Sequence, residues 1–291
     1  MFLFVCHQSH QYLLLEENNI LKFNFFFLYF IKQFCLLSFF IFAVIFTNET
    51  LAQSVKEDFL YNIQWGNVTV GKVIVNLTLD DNKIVVKANT KTEGFVNTFY
   101  EYKSELISNS SKLENFWYPN KFSTNGIYDD NKRFSSLTWN KSTKFLNYEI
   151  DPILDLKKVH NVTKTSLVNV IDPITAIIKV IERIKKNEPC NMKLNIFDGR
   201  RRYDLLTKEL GKTILKNDRP KSYNGNATIC GTKIIPIGGH RLKSKWKPEE
   251  DNFDDFKIFF GRTVSGVLFP VRVDLERWFG TITVRLLNSD I

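Results

Sequence analysis

Val73-Ile74-Val75-Asn76-Leu77-Thr78-Leu79-Asp80-Asp81-Asn82-Lys83-Ile84-Val85-Val86-Lys87-Ala88 is the stretch that decides the fold. Val73, Val75, Leu77 and Leu79 recur at every second position, and Ile84, Val86 and Ala88 do the same beyond Asp80-Asp81-Asn82. A period of two means that alternate side chains share one face, so both runs read as half-buried strands joined by a polar turn. The pattern repeats outward from here. Arg133 to Trp139 and Lys144 to Ile150 flank Asn140-Lys141, while Lys193 to Phe197 and Arg200 to Leu206 flank Asp198-Gly199. Asp-Gly tolerates the positive φ that a tight hairpin needs. Val267, Phe269, Val271 and Val273, then Ile282, Val284 and Leu286, supply the last pair. Roughly a dozen antiparallel strands are expected from the spacing of such runs.

One segment has a different period. Ile171, Ile174, Ile177, Ile178, Ile181 and Ile184 fall on one face at helical spacing. Asp172 suits the N-cap and Pro173 the first helical position, while Arg183, Lys185 and Lys186 suit the negative end of the helix dipole. The expected architecture is therefore mainly β. One large curved antiparallel sheet, half-barrel or barrel-like, packs its concave face on an amphipathic helix over about 171–186.

The first 52 residues differ from the rest. They hold 12 of the 26 Phe, with Lys22 and Lys32 as their basic residues. Phe34 to Phe46 is an apolar run broken by Ser38 alone, preceded by Lys32 and followed by Thr50-Leu51-Ala52. That order, a positive region, an apolar core and a small-x-small site, predicts a secretory signal cleaved between Ala52 and Gln53. It would contact the membrane during export. Residues 1–20 lack the marks of a signal or a domain, as an upstream start would leave them. The alternative is retention of residues 23–46 as an inner-membrane anchor, since about 20 residues span a bilayer. Lys32 and Gln33 in its middle disfavour that reading. Residues 53–291 are expected as one exported β-rich domain, periplasmic or envelope-associated, and large enough to bury a sizeable core.

Two cysteines remain after such cleavage, Cys190 and Cys230. In an oxidising compartment an even pair reads as a disulfide. Zinc is the competing reading, but only His160 and His240 remain as imidazoles, with no CxxC or HxxxH spacing. No metal and no cofactor are expected. GxSxG and GxGxxG are absent, and Leu206 stands where a phosphate loop ending in Gly211-Lys212-Thr213 would require Gly.

Charge points to a surface. Residues 183–247 carry 17 Lys/Arg against five acids, whereas the rest of residues 53–291 carries 21 against 23. Alternation at the start of one strand puts Arg200 and Arg202 on one face, with Arg201 and Tyr203 on the other. His240 to Lys247 reads as a second strand, Leu242 and Trp246 inward and Arg241, Lys243, Lys245 and Lys247 outward. Arg200, Arg202, Arg241, Lys243 and Lys245 are the candidate anion-binding residues. The bland alternative is a solvated, edge-protecting face. Nucleic acid is a poor partner outside the cytoplasm. An anionic lipid, lipopolysaccharide or an acidic cell-wall polymer fits better.

Several stretches in chain order resemble the bacterial exported family called domain of unknown function 3108. They are Tyr61-Asn62-Ile63-Gln64-Trp65-Gly66, Thr92-Glu93-Gly94, Asp172-Pro173-Ile174-Thr175-Ala176, Tyr223-Asn224-Gly225 leading to Cys230, and Phe269-Pro270-Val271-Arg272-Val273. The most specific is Phe197-Asp198-Gly199-Arg200-Arg201-Arg202-Tyr203-Asp204. The resemblance implies an envelope protein and supports the disulfide; it supplies no activity and no catalytic residues. On function, the residues point first to a non-enzymatic binding or envelope-maintenance protein. A hydrolase of an envelope polymer using Asp198 or His240, and a structural subunit of an envelope complex, are the alternatives.

Overall fold

The computed structural model describes residues 54–128, 130–140, 146–244, 252–277 and 279–288. The signal and anchor readings of residues 23–46, with Ala52 and Gln53, lie outside this set, as do Lys245 and the turn at 141–145. Residues Gln53–Ile291 form a compact unit of their own. No helix among the described residues is long and apolar enough to cross a membrane.

Thirteen strands form one antiparallel sheet. The first seven are β1 (Val55–Trp65), β2 (Val68–Leu79), β3 (Lys83–Thr92), β4 (Tyr102–Leu113), β5 (Phe116–Tyr128), β6 (Asn131–Trp139) and β7 (Leu146–Asp151). A short helix α1 (Phe95–Phe99) lies between β3 and β4, and the main helix α2 (Pro173–Lys185) follows β7. Then come β8 (Met192–Phe197), β9 (Arg202–Leu215), β10 (Gly225–Gly238), β11 (Phe256–Arg262), β12 (Leu268–Arg277) and β13 (Gly280–Leu287). Each strand pairs with its sequence neighbour except at two places. The chain's first and last strands meet in mid-sheet, Leu60 opposite Leu287 and Trp65 opposite Ile282. β7 and β8 are left as the two edges.

The hairpin at 68–92 forms as its period requires. Leu77 faces Val86 and Leu79 faces Ile84, and the turn closes with Asp80 N–H donating to Lys83 O at 2.8 Å. Val75, Leu77, Ile84 and Val86 are buried, while Lys83 and Lys87 are exposed. These inward side chains join Phe59, Tyr61, Trp117 and Leu286 in the largest core cluster. At about 1.5–3 kcal/mol for each large apolar side chain fully buried, this cluster dominates the stability of the sheet.

Helix α2 begins where its capping residues predict. Asp172 adopts extended backbone, and its carboxylate accepts from Ile174 N–H and Thr175 N–H. The helix lies within the curve of the sheet and touches β4, β5, β8 and β12. Ile178 enters the Phe59 cluster, whereas Ala176, Val180 and Ile181 enter a second cluster with Leu194, Ile196 and Phe260. Both walls of the sheet are thus built on one helix. A disulfide joins Cys190, in the link from α2 to β8, to Cys230 in β10.

The sheet is open, but its two edges approach each other. Tyr148 of β7 packs edge-on against Phe197 of β8 with ring centroids 5.1 Å apart. Arg200 Nη2, just beyond β8, donates to the carbonyls of Asp151 (2.6 Å) and Pro152 (2.9 Å) at the end of β7. Side chains therefore tie a seam that no backbone ladder closes.

Two sequence expectations need correction. β9 starts at Arg202, so Arg200 lies in the turn and does not share a strand face with Arg202. The expected strand over His240–Lys247 does not form across its described part. β10 ends at Gly238, Gly239 takes φ +76°, and Arg241 makes an isolated bridge to Val159. Leu242, expected inside, is 49% exposed.

Candidate functional site

The seam between the sheet edges is where the chemistry gathers. Its first wall is the turn after β8. Asp198 Oδ1 accepts from Arg200 N–H (2.8 Å) and Arg201 N–H (2.6 Å), and Gly199 supplies φ +94°. A carboxylate that bonds amides two and three residues on holds a tight turn, which here lays Arg200 across the seam to the end of β7 and leaves Arg201 exposed. The second wall is residues 239–242, laid antiparallel on 158–160. His160 N–H donates to His240 O (2.8 Å), Gly239 N–H to His160 O (2.8 Å) and Leu242 N–H to Lys158 O (2.9 Å). Gly239 must be glycine: a Cβ there would stand 1.8 Å from Arg200 O.

Between the walls lies a cleft of about 750 Å³. Arg133 of β6 lines it together with Arg200, Arg201, Arg241, His160 and His240. Asp155 and Asp198 are the acids in its lining. Both are engaged: Asp198 in its own turn, and Asp155 with Lys157 N–H (3.0 Å) and the Lys158 ammonium (3.3 Å). Arg133 lies over the Tyr128 ring at 4.7 Å, which orients it without neutralising it.

The electrostatics record this crowding of cations. Burial, and then the positive charge of Arg133, pull the Arg200 guanidinium below its ordinary value. Burial, and then Arg201, depress the His240 imidazole, which favours its neutral form. Tyr203, edge-on to His240 at 6.4 Å, has its phenol pushed up by burial. Like charges held together in a concave site stabilise an incoming anion and destabilise the empty state.

The structure brings Arg200 and Arg241 to this cleft and leaves Lys243 exposed two residues beyond Arg241. Arg202 goes elsewhere. It is 6% exposed, donates from Nε to Ser166 O (2.7 Å) and pairs with Asp204 at 2.6 Å. Burial alone would raise the Asp204 carboxyl, but Arg202 and Lys193 outweigh it and hold it below its ordinary value. Arg133 and the pairing of His160 with His240 were not legible in the sequence. Arg133 is distant along the chain, and no local pattern links β6 to the turn after β8. Among the described residues no group of three or more His, Cys, Asp or Glu could hold a metal ion.

Fold and site together define a class: a single open antiparallel sheet curled around a helix, with a cationic cleft at its seam. The chain belongs to the family described as Protein of unknown function (DUF3108), whose profile matches residues 60–287. Among solved structures it is similar to a beta-barrel-like protein of domain of unknown function DUF1849 from Brucella abortus. The TM-score is 0.46 at 8% identity, over 81% of this chain and 99% of that one. No curated protein matches the chain in sequence.

Proposed function

We propose that the protein is a non-enzymatic binding protein of the cell envelope, taking an anionic group into the seam cleft. The ligand chemistry is the phosphate or carboxylate of a lipid headgroup, lipopolysaccharide or wall polymer. One observation carries the reading: four arginines converge on a cleft whose two aspartates are already engaged. Guanidinium groups suit such ligands because their planar donors pair with phosphate and carboxylate oxygens. The Cys190–Cys230 disulfide and the apolar N-terminal run support a place outside the cytoplasm.

The test is binding of soluble inorganic polyphosphate. Arg201 and Arg241 are both exposed, and among the described residues neither side chain is tied to the sheet edges, so Arg201→Glu/Arg241→Glu should leave the fold intact. Affinity should fall about tenfold or more and lose much of its salt dependence. Unchanged affinity at low salt would sink the reading.

A hydrolase remains the second reading, because Asp198, His160 and His240 line the same cleft and His240 is held toward its neutral form. Its weakness is that Asp198 Oδ1 is occupied by two amides. Turnover of an envelope polymer that disappears in His240→Ala, with polyphosphate binding intact, would favour it.

A further inference from the structure

The rim of the cleft is apolar in a way that its floor is not. Residues 152–158 protrude from the end of β7 as Pro-Ile-Leu-Asp-Leu-Lys-Lys. Ile153 is 84% exposed and Leu156 58% exposed, and Leu242 on the facing wall is 49% exposed. Singly exposed aliphatic side chains are ordinary, so exposure alone carries nothing. Here Ile153 and Leu242 line the same cleft as Arg133, Arg200, Arg201 and Arg241, and Leu156 shares its turn with the exposed Lys157 and Lys158.

The backbone also holds these tips outward. Arg200 clamps the carbonyls of Asp151 and Pro152, and Asp155 bonds Lys157 N–H. Val159 bridges Arg241, and Leu242 N–H is tied to Lys158 O. The loop cannot fold its aliphatic side chains back without breaking ties that also build the cleft. A braced loop with aliphatic tips above a cationic cleft has the chemistry of an amphipathic surface. Its complement is apolar at one depth and anionic at the next, which is the layering of an anionic bilayer.

We infer that the protein seats on the surface of an anionic lipid bilayer through residues 152–158 and Leu242. Ile153, Leu156 and Leu242 enter between headgroups, and the cleft arginines hold lipid phosphates. This inference rests on the anion-binding reading and commits it to lipid still in its membrane.

The test uses the unit Gln53–Ile291, which is compact with its own cores, so that the Phe-rich N-terminal segment contributes nothing. Flotation with phosphatidylglycerol-containing vesicles is compared with binding of inorganic polyphosphate. Leu156→Ser, which lies outside the cleft lining, should weaken vesicle binding severalfold while leaving polyphosphate binding unchanged. Arg201→Glu/Arg241→Glu should weaken both. If the Ser variant floats like the parent, the bilayer seat is overturned and the anion site stands. If the Arg variant keeps its polyphosphate binding, the anion site itself fails. A fluorophore on Ile153→Cys gives an independent readout: a blue shift on anionic vesicles is expected, and its absence also overturns the seat. Equal binding to phosphatidylcholine vesicles would do the same.

Discussion

The Ser108 hydroxyl of β4 donates to Asp172 Oδ1 at 3.0 Å, across 64 residues of chain, so the sheet itself completes the N-terminal cap of α2. Thr175 adds a second hydroxyl to the same carboxylate, and Ser110 meets Thr175 at 2.7 Å. Asp172 is fully buried. Asp172→Ala removes the cap and leaves buried hydroxyls without their acceptor, at a cost of about 3 kcal/mol. Asp172→Asn keeps an acceptor oxygen and should cost about 1 kcal/mol. Urea unfolding of the three proteins checks the order; equal stabilities would mean that the cap is dispensable.

The same carboxyl should leave a mark on the pH dependence of stability. Burial raises it above its ordinary value, with the hydrogen bonds from Thr175, Ser108 and Ile174 opposing. Its folded value therefore lies above its unfolded one. The stability it contributes is fully present below the unfolded value, near 4, and is lost as pH rises through the folded value. The difference between wild type and Asp172→Asn isolates this from the carboxylates of Asp204 and Asp218, which shift the opposite way. That difference should shrink as pH rises.

Reduction of Cys190–Cys230 should cost about 4 kcal/mol in the chain-entropy account, since the bond closes a loop of roughly 40 residues. Both sulfurs lie in the cluster with Val180, Leu194 and Phe260. Cys190→Ala/Cys230→Ala should therefore also lose packing around the end of α2. Guanidinium melts with and without reductant measure the first effect, and the double variant the sum. A parent protein indifferent to reductant would show that the loop is constrained by other contacts.

The parts of the fold legible in the sequence are those set by local periodicity. Val75, Leu77, Ile84 and Val86 repeat at two, and Asp172-Pro173 marks a helix start, so the 68–92 hairpin and α2 follow directly. The meeting of β1 with β13 is a contact between chain ends, and no local pattern encodes which distant strand a strand will find. The site was half legible for the same reason. Charge counting found the segment holding Arg200, Arg201 and Arg241 but could not bring in Arg133 from β6. Alternation at 240–244 was a chance pattern, because Gly238 and Gly239 end β10 just before it. Arg202 carries the same charge as its neighbours in sequence, and only its burial beside Asp204 sets it apart from them.

At Gly239 the second wall of the cleft packs directly on the backbone of Arg200 in the first. Gly239→Ala would force a Cβ against Arg200 O while holding a left-handed φ of +76°. Backbone, rather than a flexible side chain, stands in the way, so the walls must part. The left-handed conformation alone costs roughly 1 kcal/mol for alanine, and the displaced backbone adds to it, for a loss of about 2 kcal/mol or more. Amide exchange should quicken at His160, Gly239 and Leu242, whose bonds hold the second wall together, and polyphosphate affinity should fall with it. Gly211→Ala is the control: its φ of +123° is as unusual, but no atom lies within 4 Å of the added Cβ. If both variants behave alike, close approach is not what Gly239 provides.

His240 reports the charge inside the cleft. Its imidazole is depressed below the ordinary 6.5 by burial first and then by Arg201 and His160, with the Asp198 charge and a hydrogen bond to the Arg202 backbone opposing. A base whose folded value lies below its unfolded one contributes stability that is fully present above the unfolded value. That stability is lost as pH falls toward the folded value, because the unfolded chain takes up the proton first. Wild type should therefore lose stability relative to His240→Gln as pH falls below about 6.5. A bound polyanion should reverse part of this loss, since it offsets the Arg201 charge that keeps the proton out. Proton NMR titration of His240 with and without polyphosphate reads both effects at once. The imidazole should titrate low in the free protein and move upward on binding; an unmoved titration would place the anion away from the His240 and Arg201 wall.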